Sequence, residues 1–139
     1  MSTSINKSWK ILDLCVHGDE RGKLVAIEGG INCPFEVKRA FYVYDTKDPQ
    51  EKRGCHANKK SEFLFVALSG SCKVIADDGN AREEFVLDNP QTALWLNKMT
   101  WKIMTDFSDN AVLLVLSNEK YDAGEYIRDY DVFLKEVQK

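Results

Sequence analysis

The sequence predicts an all-β fold, a sandwich or barrel carrying one C-terminal helix, and three observations lead there. Apolar residues come in runs of about five to nine, rich in β-branched and aromatic types and separated by Gly, Asp, Asn or Pro. Leu68-Ser69-Gly70-Ser71 and Asp77-Asp78-Gly79-Asn80 join successive runs through short loops whose glycine tolerates the positive φ of a tight reversal. Only one stretch changes period: Tyr126, Tyr130, Phe133, Leu134 and Val137 recur at spacings of three and four.

In chain order, strands are expected near Lys10 to His17, Lys23 to Ile27, Phe35 to Asp45, Glu62 to Ser69, Cys72 to Asp77, Glu83 to Leu87, Thr92 to Leu96, Trp101 to Thr105 and Ala111 to Ser117. Two consecutive hairpins imply antiparallel pairing, and no helix lies between strands to carry a parallel crossover. The helix is expected from about Ala123 onward, capping a sheet. A double-sheet jelly roll is among the commonest closures of such a strand set, although composition alone leaves sandwich and barrel undecided.

The 139 residues, 44% apolar and 29% charged, are those of one domain spanning 1–139. At this size folding buries roughly 70% of the extended chain's surface, so the core needs no disulfide or metal staple. Nineteen basic against twenty-two acidic residues give a net charge of -3, without the cationic excess by which nucleic-acid binders release counterions. No run approaches the roughly 20 apolar residues of a membrane span, and MSTSINKSWK carries no apolar signal core, so no membrane partner and a cytoplasmic location are expected. Cys15, Cys33, Cys55 and Cys72 are scattered and expected to be reduced, small buried hydrophobes. With only His17 and His56, a three-histidine metal site is excluded; neither metal nor cofactor is expected.

The densest polar cluster is Lys52-Arg53-Gly54-Cys55-His56-Ala57-Asn58-Lys59-Lys60, followed by Glu62. It lies between two strand candidates, where a sheet can hold side chains at a barrel mouth. Under strict alternation Arg53, Cys55 and Ala57 face one way and Gly54, His56 and Asn58 the other. Histidine titrates nearest neutrality and suits removal of a proton from carbon beside a carbonyl. Spacing alone does not separate that chemistry from a solvated basic loop with an incidental histidine.

Asp19-Glu20-Arg21-Gly22, Leu24 to Glu28, Val37-Lys38-Arg39, Tyr42 to Thr46, Arg53-Gly54-x-His56-Ala57-x-Lys59-Lys60, Leu68-x-Gly70-Ser71, Asp77-Asp78-Gly79 and Tyr126-Ile127-Arg128-x-Tyr130 follow one another in this order. Together they resemble the cupin sugar-nucleotide 3,4-ketoisomerases over almost the whole chain. The resemblance implies a cupin jelly roll (double-stranded β-helix) and a homodimer that binds TDP-4-keto-6-deoxyglucose and moves its keto group from C4 to C3. The product would feed 3-amino-3,6-dideoxy sugars of surface glycans such as lipopolysaccharide O-antigen, or of natural products. A base, an acid and a stabiliser of the enediolate are sufficient for this proton transfer. His56 takes the family's base position, with Tyr44, or Tyr42 on the same strand face, as the expected oxyanion or relay group. Arg21 and Arg53 resemble diphosphate ligands. Lys38, Arg39, Lys59 and Lys60 add positive potential, Lys60 being the one taken as a substrate ligand. Glu28 and Glu62 are candidates to orient the histidine or bind sugar hydroxyls, and Trp101 to offer thymine a stacking face.

One position departs from the pattern. The family motif resembles Arg-Gly-x-His-Ala-His-Lys, whereas this chain has Asn58 where the second histidine belongs. Asparagine hydrogen-bonds but exchanges no proton near neutral pH, so an impaired enzyme is expected, whether by engineering or by natural divergence. Some members carry a histidine at the position of Lys102. The alternatives are a catalytically silent TDP-sugar-binding cupin and a 3,5-epimerase-like enzyme, which shares the fold and the Arg-Gly-x-His pattern.

Overall fold

The structure, a computed structural model, describes residues 7–138; the first six residues, part of the N-terminus read above for a signal core, lie outside the described residues. Two five-stranded sheets face each other. The first runs β1 (Trp9–Asp13), β9 (Thr92–Leu96), β6 (Phe63–Ser69), β11 (Val112–Ser117), β4 (Arg39–Tyr44). The second runs β12 (Tyr126–Ile127), β5 (Arg53–Asn58), β10 (Trp101–Thr105), β7 (Cys72–Asp77), β8 (Arg82–Leu87). A separate exposed ribbon pairs β2 (His17–Asp19) with β3 (Gly22–Leu24), and all these pairings are antiparallel. This is the expected all-β jelly roll, and the Gly70 and Gly79 turns sit at positive φ as the hairpins require.

β6 shows how the layers form. Phe63, Phe65 and Ala67 point between the sheets, where they meet Val74, Leu94, Met104, Leu113 and Val115. Leu64 and Val66 point outward, and Leu14, Cys33, Phe35 and Leu116 cover them together with Val25, Ile27 and Val37. A strand apolar on both faces needs a cover on both.

That cover corrects the strand list. Of the strand expected at Lys23 to Ile27 only the β3 end pairs, Phe35 to Asp45 begins pairing at Arg39, and Lys10 to His17 splits into β1 and β2. The apolar residues of 25–37 pack on a sheet instead of joining one. Their backbone turns sharply where Ile31, Asn32 and Cys33 N–H groups all donate to the Glu28 carbonyl. Conversely, Arg53–Asn58, placed between strands by the sequence, is a full strand, β5.

The outer face of the second sheet is covered by α1 (Tyr130–Val137), whose Phe133 is fully buried against Ala57, Trp101 and Ile127. The helix starts later than its periodicity suggested. Tyr126 and Ile127 pair with Asn58 and Ala57 as β12, and Asp129 then caps the helix, its carboxylate accepting from Val132 N at 3.1 Å. Asp77 ties helix to sheet by accepting from the Tyr130 hydroxyl at 2.6 Å and from Arg82 Nη2 at 2.9 Å.

Candidate active site

Between the sheets, β4 and β6 on one side and β5, β10 and β12 on the other enclose a cavity of about 160 Å³. Its polar lining is Arg39, Arg53, His56, Lys102 and Tyr126, and its apolar floor includes Phe41, Phe63, Phe65 and Met104. The sheet scaffold holds this cationic group at fixed positions, as a binding site for a small anionic molecule requires.

A bulge in β5 brings Arg53 into the site. Its register against β10 shifts between Lys102 and Ile103, where Gly54 (φ 81) and Cys55 (φ 56) both lie in the left-handed region. Arg53, three residues from His56, would point to the opposite face of a regular strand; the bulge returns it to the cavity beside the histidine. Cys55 and Ala57 go to the helix side as alternation predicts. A Cβ on Gly54 would stand 2.9 Å from the Lys102 carbonyl oxygen, so the close approach of β5 to β10 also demands glycine.

Burial first, then the charge of Lys102, pushes the His56 imidazole down to about 4, against the opposing Gly54 carbonyl and Glu125. At neutral pH the ring is therefore uncharged. Its Nδ1 is buried without a hydrogen bond of normal geometry, and the ring leans on Tyr126 at a centroid distance of 4.7 Å. Arg39 Nη1 donates to the Tyr126 hydroxyl at 3.3 Å.

Behind the cavity lies a second polar layer. Lys102, 2% exposed, donates from Nζ to Asn58 Oδ1 at 2.9 Å and stands 4.4 Å from the Phe63 ring centroid. Burial lowers its ammonium to about 7, with Glu125 pulling the other way. Burial alone would raise the Glu125 carboxyl. The Ser61 hydroxyl, the Lys60 and Ser61 N–H groups and the Asn58 side chain together outweigh it and hold the group below the usual carboxylate range. The Ser61 hydroxyl to Glu125 hydrogen bond is very short.

Only His56 and Arg53 of the expected site residues line this cavity; Asn58 is buried directly behind Lys102. Tyr42 and Tyr44 are corrected to the outer face of β4, 63% and 64% exposed, because alternation turns Arg39, Phe41 and Val43 inward instead. Arg21 sits on the β2–β3 ribbon, ion-paired to Asp19 at 2.7 Å. Lys60 reaches outward to Asp122, and Glu28 is exposed in the turn that its carbonyl organises. Glu62 accepts from Trp95 Nε1 at 2.9 Å, outside the cavity lining. Trp101 is packed beneath the helix against Phe133 and Tyr130, a core residue with no ring face toward the cavity.

Sequence reading underrated Arg39, Lys102, Glu125 and Tyr126. Counting alternation back from Phe41 would have found Arg39. Lys102, the one cation inside the run Trp101 to Met104, carried the same signal. Spacings of three and four place Tyr126 on the helix, whereas the structure sets it on β12 against His56. Among the described residues no three His, Cys, Asp or Glu side chains converge as metal ligands.

The chain matches, over residues 7–138, the family described as FdtA: WxcM-like, C-terminal. It is 49% identical over 121 residues to TDP-4-oxo-6-deoxy-alpha-D-glucose-3,4-oxoisomerase of Aneurinibacillus thermoaerophilus, covering 87% of this chain and 86% of that protein. Among solved structures it is similar to the TDP-quinovose 3,4-ketoisomerase WlaRB of Campylobacter jejuni, with 45% identity, a TM-score of 0.89, and 94% and 99% of the two chains covered. It is also similar to a His-to-Asn mutant of the 3,4-ketoisomerase QdtA of Thermoanaerobacterium thermosaccharolyticum in complex with TDP-4-keto-6-deoxyglucose, with 31% identity, a TM-score of 0.91 and 96% of each chain covered.

Proposed function

The chain belongs to the FdtA (WxcM-like, C-terminal) family, and from that premise we propose that it is a TDP-4-keto-6-deoxyhexose 3,4-ketoisomerase. The observation that carries the reading is the uncharged, buried imidazole of His56 on a cavity it shares with Arg39, Arg53, Lys102 and the Tyr126 hydroxyl. A neutral imidazole accepts a proton, and the surrounding positive charge lowers the cost of the enediolate that forms when it does.

The C4 carbonyl acidifies the C3 hydrogen, His56 takes that proton, and the resulting enediol is reprotonated at C4. Arg53, aimed inward by the bulge, serves the diphosphate. Arg39 and Tyr126, hydrogen-bonded to each other, stand beside His56 and orient the sugar. Arg21 does not line the cavity of its own chain and in a homodimer reaches the nucleotide from the second copy. Tyr42, Tyr44, Glu28, Lys60, Glu62 and Trp101 act through packing or the surface. The 3-keto product is the precursor of a 3-amino-3,6-dideoxy sugar for a surface glycan or natural product, made in the cytoplasm.

Asn58 leaves the motif one proton carrier short. A TDP-sugar-binding protein without turnover is therefore the second reading. Proton NMR of TDP-4-keto-6-deoxyglucose in deuterated buffer separates the two. Deuterium at C4 of a 3-keto product, abolished in His56→Asn, is the expected result. Bound nucleotide with neither exchange nor product establishes the silent binder.

A further inference from the structure

Resting on the ketoisomerase reading, we propose that Lys102 is the second proton carrier of the reaction, supplying the exchange that Asn58 cannot, while the Asn58 amide oxygen holds its amine in place. Lys102 on β10 is the register partner of His56 on β5. Cross-strand partners project from the same face with Cβ atoms roughly 5 Å apart, and both side chains line one cavity.

The surroundings fit a proton carrier better than a phosphate ligand. A lysine that serves as a point charge for phosphate keeps its hydrated head toward the anion. Here the whole side chain is buried, and its Nζ is held inward by Asn58 Oδ1 at 2.9 Å beside the Phe63 ring. Burying an ammonium in this way is costly, and the cost falls when the proton leaves. Facing Lys102 are His56 and Asn58 of β5, Phe63 of β6 and Glu125 just before β12, with Arg39 of β4, Arg53 of β5 and Tyr126 of β12 lining the same cavity and Arg128, just after β12, adding positive charge against His56. The ammonium value of about 7 agrees with exchange near neutrality.

The step balances without a co-reactant. His56 removes the C3 proton, the C3–H electron pair forms the C3=C4 bond, and the C4 carbonyl π pair takes a proton from the Lys102 ammonium. The neutral amine then accepts the O3 proton, the C3=O3 bond forms, and the C3=C4 pair takes a proton from His56, exchanged there with solvent, onto C4. Both side chains return to their starting states. Asn58 is a positioning residue here, since it acts only through the amine.

The test compares the unchanged chain with Lys102→Met and Lys102→His, reading 3-keto product by NMR and TDP affinity by calorimetry. Lys102→Met is expected to lose about 10²–10⁴-fold in kcat while its TDP Kd stays within about threefold, and Lys102→His to recover at least about tenfold of that loss. The unchanged chain needs neutral His56 and charged Lys102 at once, so its kcat/KM falls at high pH, and Lys102→Met lacks that limb. Product formation by Lys102→Met within about tenfold of the unchanged chain overturns the proposal, as does a Lys102→His no faster than Lys102→Met. Should Lys102→Met not fold, Asn58→Leu removes only the acceptor: a lower kcat with a displaced high-pH limb upholds the pairing, and an unaltered profile overturns it. An unchanged chain that binds TDP-sugar and makes no product defeats the ketoisomerase reading itself, an outcome distinct from any of these.

Discussion

The space between the two sheets has two ends with opposite purposes, which share β6. At one end Cys72, Val74, Phe107, Ala111, Leu113 and Val115 close into an apolar core. At the other Arg39, Arg53, His56, Lys102 and Tyr126 leave a cavity. Phe63 and Phe65 of β6 belong to both. Apolar side chains gain by excluding one another from water, so the first end collapses to close packing. Like charges and polar groups that need solvation or partners keep the second from doing so. Stability and chemistry are thus separated along one pair of sheets, and substitutions at the two ends are expected to fail in different ways.

The largest effect on folding is expected at the closed end. Leu113→Ala deletes a fully buried side chain and should cost about 2–5 kcal/mol by denaturant titration. The kcat of the molecules that remain folded should be unchanged. A matching loss of kcat would show that the two ends are coupled.

Gly54→Ala tests the junction that aims Arg53. The new Cβ meets the Lys102 carbonyl at positive φ, so a loss of about 1–3 kcal/mol is expected. KM should rise more than kcat falls, because the displaced group is a substrate ligand.

The open end also carries a pH signature. The Lys102 ammonium is lowered from an ordinary 10.5 to about 7 by burial. As pH falls through that interval the unfolded chain takes up the proton first, so this contribution to stability is lost toward neutrality. Lys102→Met should therefore melt higher than the unchanged chain at pH 7 and lack its rise in melting temperature between pH 7 and 10. The gain is expected at about 1–4 kcal/mol, as for other buried charges replaced by apolar groups. His56, lowered from 6.5 to about 4, adds a further loss of stability below about pH 6.5.

The smallest effect is expected outside both ends. Tyr44→Phe removes a hydroxyl from the exposed face of β4, and kcat should stay within about twofold, surface changes being near neutral. A larger loss would mean that a partner's site uses this face.

The sequence by itself determined the strand architecture, the two glycine hairpins and the motif bearing Arg53, His56 and Asn58. These depend on local quantities, namely period-two apolarity, the φ freedom of glycine and the chemistry of individual side chains. It did not show that residues 25–37 cover a sheet, because apolar spacing is the same for a segment that packs on strands and one that pairs with them. Nor did it show which residues join His56. Tyr42 and Tyr44 look catalytic by type, yet alternation along β4 gives the cavity to Arg39, Phe41 and Val43. Arg53 enters only through the bulge at Gly54 and Cys55, and Lys102 only through its register with His56. Which side chains share one small volume is set by pairing between strands distant in sequence, and that was decided by the tertiary structure alone.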